Sequence, residues 1–417
     1  MSPAAALVAI LLAQMPGAGP QVAATAETVV EIRVHGNHTT PDAEIVRIAG
    51  VRVGQPFVPS LIPECEARLR ESGRLRRVDV MKRYASIEDP TAVVLLILVE
   101  EQPGVSEETP APGALRRFKA GAMWLPILRF EDGYGATYGA RFSFIDVLGR
   151  QTRVSVPLSW GGERRASVDV EKRFNRGPLT RLIADAGVTR REHPTLDVAD
   201  RRTGAGLRAE RAFSAAFRVG AHARVSDVQF GNIADHLRSA GVDATLDTRR
   251  DPAFPRNAVY ASVGVERLWF DESEDASRVL TDVRGYVGLV RQIVFVARVQ
   301  QVWSADPLPP FEQPLLGGAD SLRGFRLGYR MGDRLLAGSA EVRAPITSPL
   351  RVARLGVAVF TDAGTVYSAQ QPVDEAKWDR SVGAGVFVTA PIVSMRLDIA
   401  HGIDAGTRAH FTLGVTF

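Results

Sequence analysis

From Ala114 to the C-terminus, 304 of the 417 residues, apolar and polar side chains alternate in short runs separated by turn residues. The clearest run closes the chain. Phe411, Leu413, Val415 and Phe417 fall on one side of a two-residue period, Thr412, Gly414 and Thr416 on the other. Met395, Leu397 and Ile399 alternate in the same way with Arg396, Asp398 and Ala400. Arginines and aspartates on one strand face are costly in a dry sandwich core unless fully paired. Facing a wet lumen they cost little, and apolar outside with polar inside is the pattern of outer-membrane barrels. The alternation predicts sixteen strands, near 117–124, 133–143, 151–160, 165–174, 179–190, 202–212, 216–227, 238–248, 257–270, 278–289, 291–303, 334–346, 352–362, 378–389, 392–401 and 407–417. Connections 191–201, 228–237, 304–333 and 363–377 are then long and share one end of the barrel, while 175–178 and 347–349 are short turns at the other. All five tryptophans (Trp124, Trp160, Trp269, Trp303, Trp378) fall at strand ends, as in an interfacial girdle.

The first quarter of the chain has a different grammar. Residues 1–26 carry an apolar run, Ala4 to Ala13, and a small-x-small Ala24-Thr25-Ala26, the pattern of an export signal, although no Lys or Arg precedes the run. Residues 28–101 read as β-α-α-β-β. A strand over Val29–Val34 is followed by a helix opened by Pro41 with Thr40 as N-cap, and by a second helix from about Pro59 to Glu71. Strands over Leu75–Lys82 and Ala92–Glu100 complete the unit. With its TVVEIRVHGN opening and LRESGRLRRVDV middle, this stretch resembles a POTRA domain, a module that offers sheet edges to extended polypeptides by strand addition. Residues 102–113, rich in Pro and acidic side chains, read as a linker, and 114–417 as the barrel.

Composition removes several alternatives. The net charge is only +4 and basic residues are spread along the chain, which argues against a nucleic-acid partner. No apolar run after the N-terminus is long enough for a spanning helix. The lone Cys65 excludes an intrachain disulfide and sits at core spacing in a helix. The seven histidines show no metal-ligand spacing, His401 and His410 reading as lumen or rim residues. No G-x-S-x-G occurs, and Gly204-Ala205-Gly206 and Gly383-Ala384-Gly385 lie within strands rather than before helices. Neither an enzyme nor a bound cofactor is expected.

What remains is the long segment after the eleventh strand. It carries Phe311, Leu315, Leu316, Leu322, Phe325 and Leu327, which need a surface to pack on, and one arginine, Arg323, between apolar residues. Two carboxylates follow on strand-like runs. Glu341 shares a face with Arg343, and Asp362 shares one with Phe360, opposite Val357 and Val359. One loop cation and two strand anions suggest a loop folded back into an enclosed space.

Taken in order, Asp146-Val147-Leu148-Gly149, Asp247-Thr248-Arg249-Arg250-Asp251 with Phe254-Pro255, Leu322-Arg323-Gly324-Phe325 and Phe360-Thr361-Asp362-Ala363-Gly364 resemble the motifs of the BamA/TamA superfamily of outer-membrane protein assembly and secretion factors. Asn257 or Ala258 stands where that family usually has glycine, and one POTRA domain stands where well-known members have several. The resemblance implies a mainly β protein, a sixteen-stranded antiparallel transmembrane barrel preceded by a small α/β domain, located in the outer membrane of a Gram-negative bacterium with the POTRA domain in the periplasm. It implies a loop latch of Arg323, Gly324, Phe325, Glu341 and Asp362, in which Gly324 lets the backbone pass close to the wall. It also implies an insertion signal of Phe411, Leu413, Val415 and Phe417. The strand around Phe118, Gly121 and Trp124, interrupted by Gly121 and Pro126, should pair weakly with the last and form a seam. Implied partners are unfolded outer-membrane or secreted client polypeptides and the lipid bilayer, with periplasmic proteins or lipoproteins as further candidates. The competing expectation is a passive porin or solute channel.

Overall fold

The computed structural model describes residues 27–85, 89, 91–102, 104–105, 122–348, 353–390 and 393–415. The export segment, most of the linker, and Phe118, Gly121 and Phe417 lie outside the described residues. The chain divides into two compact units at Gly121/Ala122.

The first unit has the order β1 (Thr28–His35), α1 (Asp42–Ala49), α2 (Leu61–Glu71), β2 (Leu75–Tyr84) and β3 (Ala92–Glu101). The sheet order is β1-β3-β2, with β1 parallel and β2 antiparallel to β3. The helices cover one face through Ile45, Ala49, Leu61, Cys65 and Leu69, packed on Val29, Leu75, Val93, Leu95 and Ile97. Cys65 is fully buried, and burial raises its thiol pKa above the ordinary value. Thr40 does not cap α1. The helix begins one residue after Pro41 without a side-chain cap. Instead the N–H groups of Thr39 and Thr40 donate to the Glu101 carboxylate, at 3.0 and 2.6 Å, and tie the helix entry to the end of β3. These bonds hold Glu101 below its ordinary pKa although burial pushes it the other way.

The second unit is a closed antiparallel barrel of sixteen strands. They are β4 (Ala122–Glu131), β5 (Gly135–Ile145), β6 (Thr152–Gly161), β7 (Glu163–Arg173), β8 (Arg181–Glu192), β9 (Ala199–Ala212), β10 (Phe217–Phe230), β11 (Ile233–Asp247), β12 (Ala258–Trp269), β13 (Ala276–Gly288) and β14 (Val294–Ser304). After a two-stranded ribbon of β15 (Leu315–Leu316) and β16 (Arg330–Met331) come β17 (Arg334–Thr347), β18 (Arg354–Tyr367), β19 (Asp379–Thr389), β20 (Val393–Gly402) and β21 (Gly406–Val415).

The period-two pattern sorts outward from inward side chains. On β18, Val357 and Val359 are exposed while Ala358, Phe360 and Asp362 are buried. On β20, Met395, Leu397 and Ile399 are exposed and Asp398 is buried. No helix among the described residues is long and apolar enough to cross a membrane. The closed ring of strands instead pairs each strand with two neighbours, the arrangement by which strands can cross a membrane.

Two expectations need correction. The first barrel strand is Ala122–Glu131 rather than 117–124, and Pro126 lies inside it, opposite Ala140. Its apolar Leu125-Pro126-Ile127-Leu128 stretch lacks alternation, and an edge strand tolerates the missing N–H of proline. The connection expected at 228–237 does not exist. β10 and β11 continue through it and turn on two residues, Gly231 (φ 56°) and Asn232. Polar residues suggested a loop there, but the strands simply run on, and Val228, Phe230 and Leu237 are buried. The end from which 305–333 emerges is called the loop end below, and the opposite one the turn end. Trp160, Trp269, Trp303 and Trp378 are exposed at the loop end and Trp124 at the turn end.

Candidate functional site: an anchored loop beside the barrel seam

Residues 305–333 fold back into the lumen as a compact unit. Ribbon β15–β16 closes the base, and Gly318 N–H donates to the Phe325 carbonyl at 2.9 Å. The Ser321 hydroxyl accepts from Gly317 N–H and donates to Gly317 O. Leu316, Leu322 and Phe325 are fully buried against Leu335, Ala337 and Val366 on the wall. Gly324 adopts φ 96°, and a Cβ there would stand 2.6 Å from the Gly402 nitrogen, so a side chain is excluded on both counts.

The tip arginine meets the carboxylates named from the sequence. Arg323 Nε and Nη2 donate to Asp362 at 2.9 and 2.6 Å, and Nη1 donates to Glu341 at 2.8 Å. The Arg323 backbone N–H adds a further bond to Asp362 at 3.1 Å. All three side chains are at most 7 % exposed. The guanidinium also lies over the Phe360 ring, 3.3 Å from its centroid, so the fork is bidentate, desolvated and stacked.

Sequence reasoning missed the outer ring of this cluster. Asp398 stands 3.5 Å from Arg323 Nη1, Arg396 bridges Glu341 and Asp398, Arg343 binds Glu341, and the Ser381 hydroxyl donates to Asp362. Arg396 and Asp398 were visible as an inward pair on one strand. Their convergence with Glu341 and Asp362 depends on barrel closure, which places β17, β18 and β20 around one point.

A second anchor of inverse polarity was missed entirely. Glu312, early in the loop, receives hydrogen bonds from Arg202 at 2.7 Å and Arg278 at 2.8 Å, from β9 and β13. Next to it Phe311 packs against Phe230, Phe270 and Leu308, and its carbonyl accepts from Arg202. Asp333 accepts from Leu308 and Ala369 N–H groups, fixing the loop exit. The signal was the same as for Arg323: one ionisable side chain in an apolar loop segment.

The other predicted group is the seam. Among the described residues β21 and β4 pair only through Leu413 with Phe130 and Gly414 with Arg129, whereas β4 pairs with β5 along its whole length. Trp124 lies on β4, exposed, with Phe142 as its partner on β5. Phe411 and Leu413 lie on β21, and the Phe411 ring meets Phe130 across the seam, centroids 5.4 Å apart. Val415 ends the strand. Toward the loop end β21 outruns β4, and the turn beginning at Asp132 stands beside it. There His410, almost fully buried, contacts Asp132 through Nδ1 at 2.8 Å and accepts from Gly324 N–H through Nε2 at 3.1 Å.

The turn-end motif has its own physical reason. Asn257 takes φ 50°, a conformation asparagine tolerates, which explains how it replaces the usual glycine. Among the described residues no cluster of His, Cys, Asp or Glu has the arrangement of a metal site.

No curated protein sequence matches the chain. Among solved structures, BamA from Haemophilus ducreyi lacking POTRA domains 1-3 is similar at 16 % identity and a TM-score of 0.65, over 94 % of this chain and 85 % of that one. CdiB from Acinetobacter baumannii is similar at 12 % identity and TM-score 0.52, over 94 % and 74 %. CdiB from Escherichia coli matches at 14 % and 0.51, over 97 % and 93 %. At these identities the likeness concerns the fold. The model of the surface antigen variable number repeat, POTRA, matches residues 27–102. The Omp85 superfamily domain matches residues 140–417, two thirds of the chain, and the protein belongs to that superfamily.

Proposed function

We propose that this protein is a bacterial outer-membrane factor that inserts or translocates client polypeptides through its barrel seam, without covalent catalysis. The observation that carries the reading is the ladder between β21 and β4, two pairs among the described residues, in a wall otherwise joined by longer ladders. An unfolded strand can take up the backbone groups that such a short ladder leaves, as in strand addition. The POTRA domain lies in the periplasm and captures extended clients, and the loop end of the barrel faces outward.

Of the two sheet edges, β1 is already engaged by Gln55–Phe57, which exchange backbone bonds with Glu27 and Val29. Among the described residues the outward Val78 carbonyl and Val80 N–H of β2 are held by the side chains of Arg70 and Glu66. Side chains withdraw more easily than a paired backbone, so β2 is the edge for clients. A passive porin needs neither a module of this kind nor a lumen filled by an apolar-tipped loop.

The test is a reversible lock. Paired residues on adjacent strands have Cα atoms about 4.5–5.5 Å apart, inside the disulfide range. Arg129→Cys with Gly414→Cys therefore supports a seam crosslink, and the fully buried Cys65 does not compete. In proteoliposomes, oxidation should abolish insertion of an unfolded outer-membrane polypeptide and reduction should restore it, with little small-solute flux in either state. Insertion at full rate through an oxidised seam, or solute flux indifferent to the client, would overturn the proposal.

A further inference from the structure

We propose that His410 is a positioning residue that couples the loop tip to the seam, so that the seam's loop end opens only when the tip releases. This deepens the seam reading and rests on it. In register, Thr412 is the last residue of β21 that faces β4, opposite Glu131, and beyond it β21 has no strand beside it on that side. His410 lies in that stretch. On the β20 side its partner is Asp398, itself part of the Arg323 cluster. On the open side the Asp132 carboxylate takes the place of a ladder partner.

The ring reads both neighbours at once. A carboxylate only accepts, so Nδ1 carries the proton toward Asp132, and Nε2 is left as the acceptor that Gly324 N–H requires. One side chain therefore joins the turn after the first barrel strand, the last strand and the residue next to Arg323.

The loop tip also rests on both sides of the seam directly. A methyl group at Gly133 would stand 2.8 Å from Leu327 Cδ2, and one at Gly402 would stand 2.7 Å from the Phe325 ring. The seated tip is a splint across the part of the seam that has no ladder. Separation of β4 from β21 there breaks the His410–Asp132 bond or pulls Gly324 away from its acceptor.

The experiment reads coupling rather than stability. Arg326 is exposed on the loop, and the residues beside it are held in place, so tryptic cleavage there reports release of the tip. In the full chain carrying Arg129→Cys and Gly414→Cys, oxidation should slow this cleavage about tenfold, the order expected for one hydrogen bond to a charged group. In the same chain with His410→Phe the oxidised and reduced forms should be cut at equal rates. Asp132→Ala, a change in the turn that leaves every strand intact, should uncouple them likewise, while His410→Gln, which keeps a donor and an acceptor, should restore part of the difference. An equal slowing by the lock with and without His410 would show that the residue is merely structural. Client insertion is not measured, so failure of the insertion reading and failure of this coupling remain distinguishable.

Discussion

The loop tip and the seam lie side by side and are built on opposite terms. Arg323 donates four hydrogen bonds from one residue, three from its side chain and one from its backbone, and stacks on Phe360 in a cluster that excludes water. Among the described residues the ladder that closes the barrel has two residue pairs. A barrel selected for rigidity alone would distribute its bonds the other way. The concentration of ionic bonds in a loop, beside a wall left almost unzipped, is what a splinted opening requires.

The largest effect that could break this contrast is loss of the cation. Arg323→Ala leaves the neighbours unequally served. Glu341 keeps Arg343 and Arg396, and Asp398 keeps Arg396. Asp362, 2 % exposed, is left with the Ser381 hydroxyl and a backbone N–H. Removing one partner of such a buried pair costs about 3–5 kcal/mol, here read as loop anchoring. Proteolysis of the loop should rise steeply while the heat-modifiable folded band of the barrel persists on gels. Arg323→Lys should restore only part, since an ammonium cannot reproduce the fork. In a double-mutant cycle with Asp362→Ala, strictly additive losses would mean that the two residues do not interact.

A smaller effect is expected at the second anchor, and the comparison sharpens the first. Glu312→Gln removes one anion from between two arginines, but Arg202 keeps Asp200 and Arg278 keeps Glu266. Both arginines are also partly exposed. With the charges still compensated and partly screened, the loss should be about 1–2 kcal/mol, between an exposed and a buried pair. Cleavage near Phe311 should rise, while cleavage after Arg326 changes less. Equal losses for Glu312→Gln and Arg323→Ala would show that the loop opens as a single unit, and that the polarity of its anchors is irrelevant.

How much of this was legible in the sequence follows from the range of the interactions. Strand faces such as Val357/Val359 against Phe360/Asp362 depend on neighbours two residues apart, and the alternation reports them. The meeting of Arg323 with Glu341 and Asp362 was implied by the resemblance of Leu322–Phe325 and Phe360–Gly364 to family motifs, and the alternation supported it by turning both carboxylates inward. Arg396, Asp398 and His410 were seen as lumen or rim residues, but their place around Arg323 and Gly324 is a product of closure, which no local pattern encodes. Glu312 had the same isolated character as Arg323 and was passed over because its partners, Arg202 and Arg278, lie on strands rich in other charges. The first strand was misplaced because its Leu125–Leu128 stretch carries no two-residue period. The short ladder among the described residues comes from the offset between β21 and β4, not from the Gly121 and Pro126 interruptions read from the sequence.

The smallest expected effect tests the seam side of the contrast. Phe411 and Phe130 meet across the two-pair ladder in a tilted arrangement, and such a pair contributes about 0.5–1.5 kcal/mol beyond the area it covers. In most of the wall a loss of this size would be lost among long ladders. Here it is comparable to the backbone pairing seen among the described residues, two residue pairs at about 0.5–1.5 kcal/mol per hydrogen bond. Phe411→Ala should therefore lower the rate at which Arg129→Cys and Gly414→Cys crosslink on mild oxidation, because the two strands spend less time in register. Substituting an aromatic residue far from the seam, Phe295→Ala on β14, whose register with β17 runs through nine pairs, should leave that rate unchanged. A crosslinking rate indifferent to Phe411 would mean that the splint at His410 and the loop tip alone holds the seam in register, and would shift the closing force from the strands to the loop.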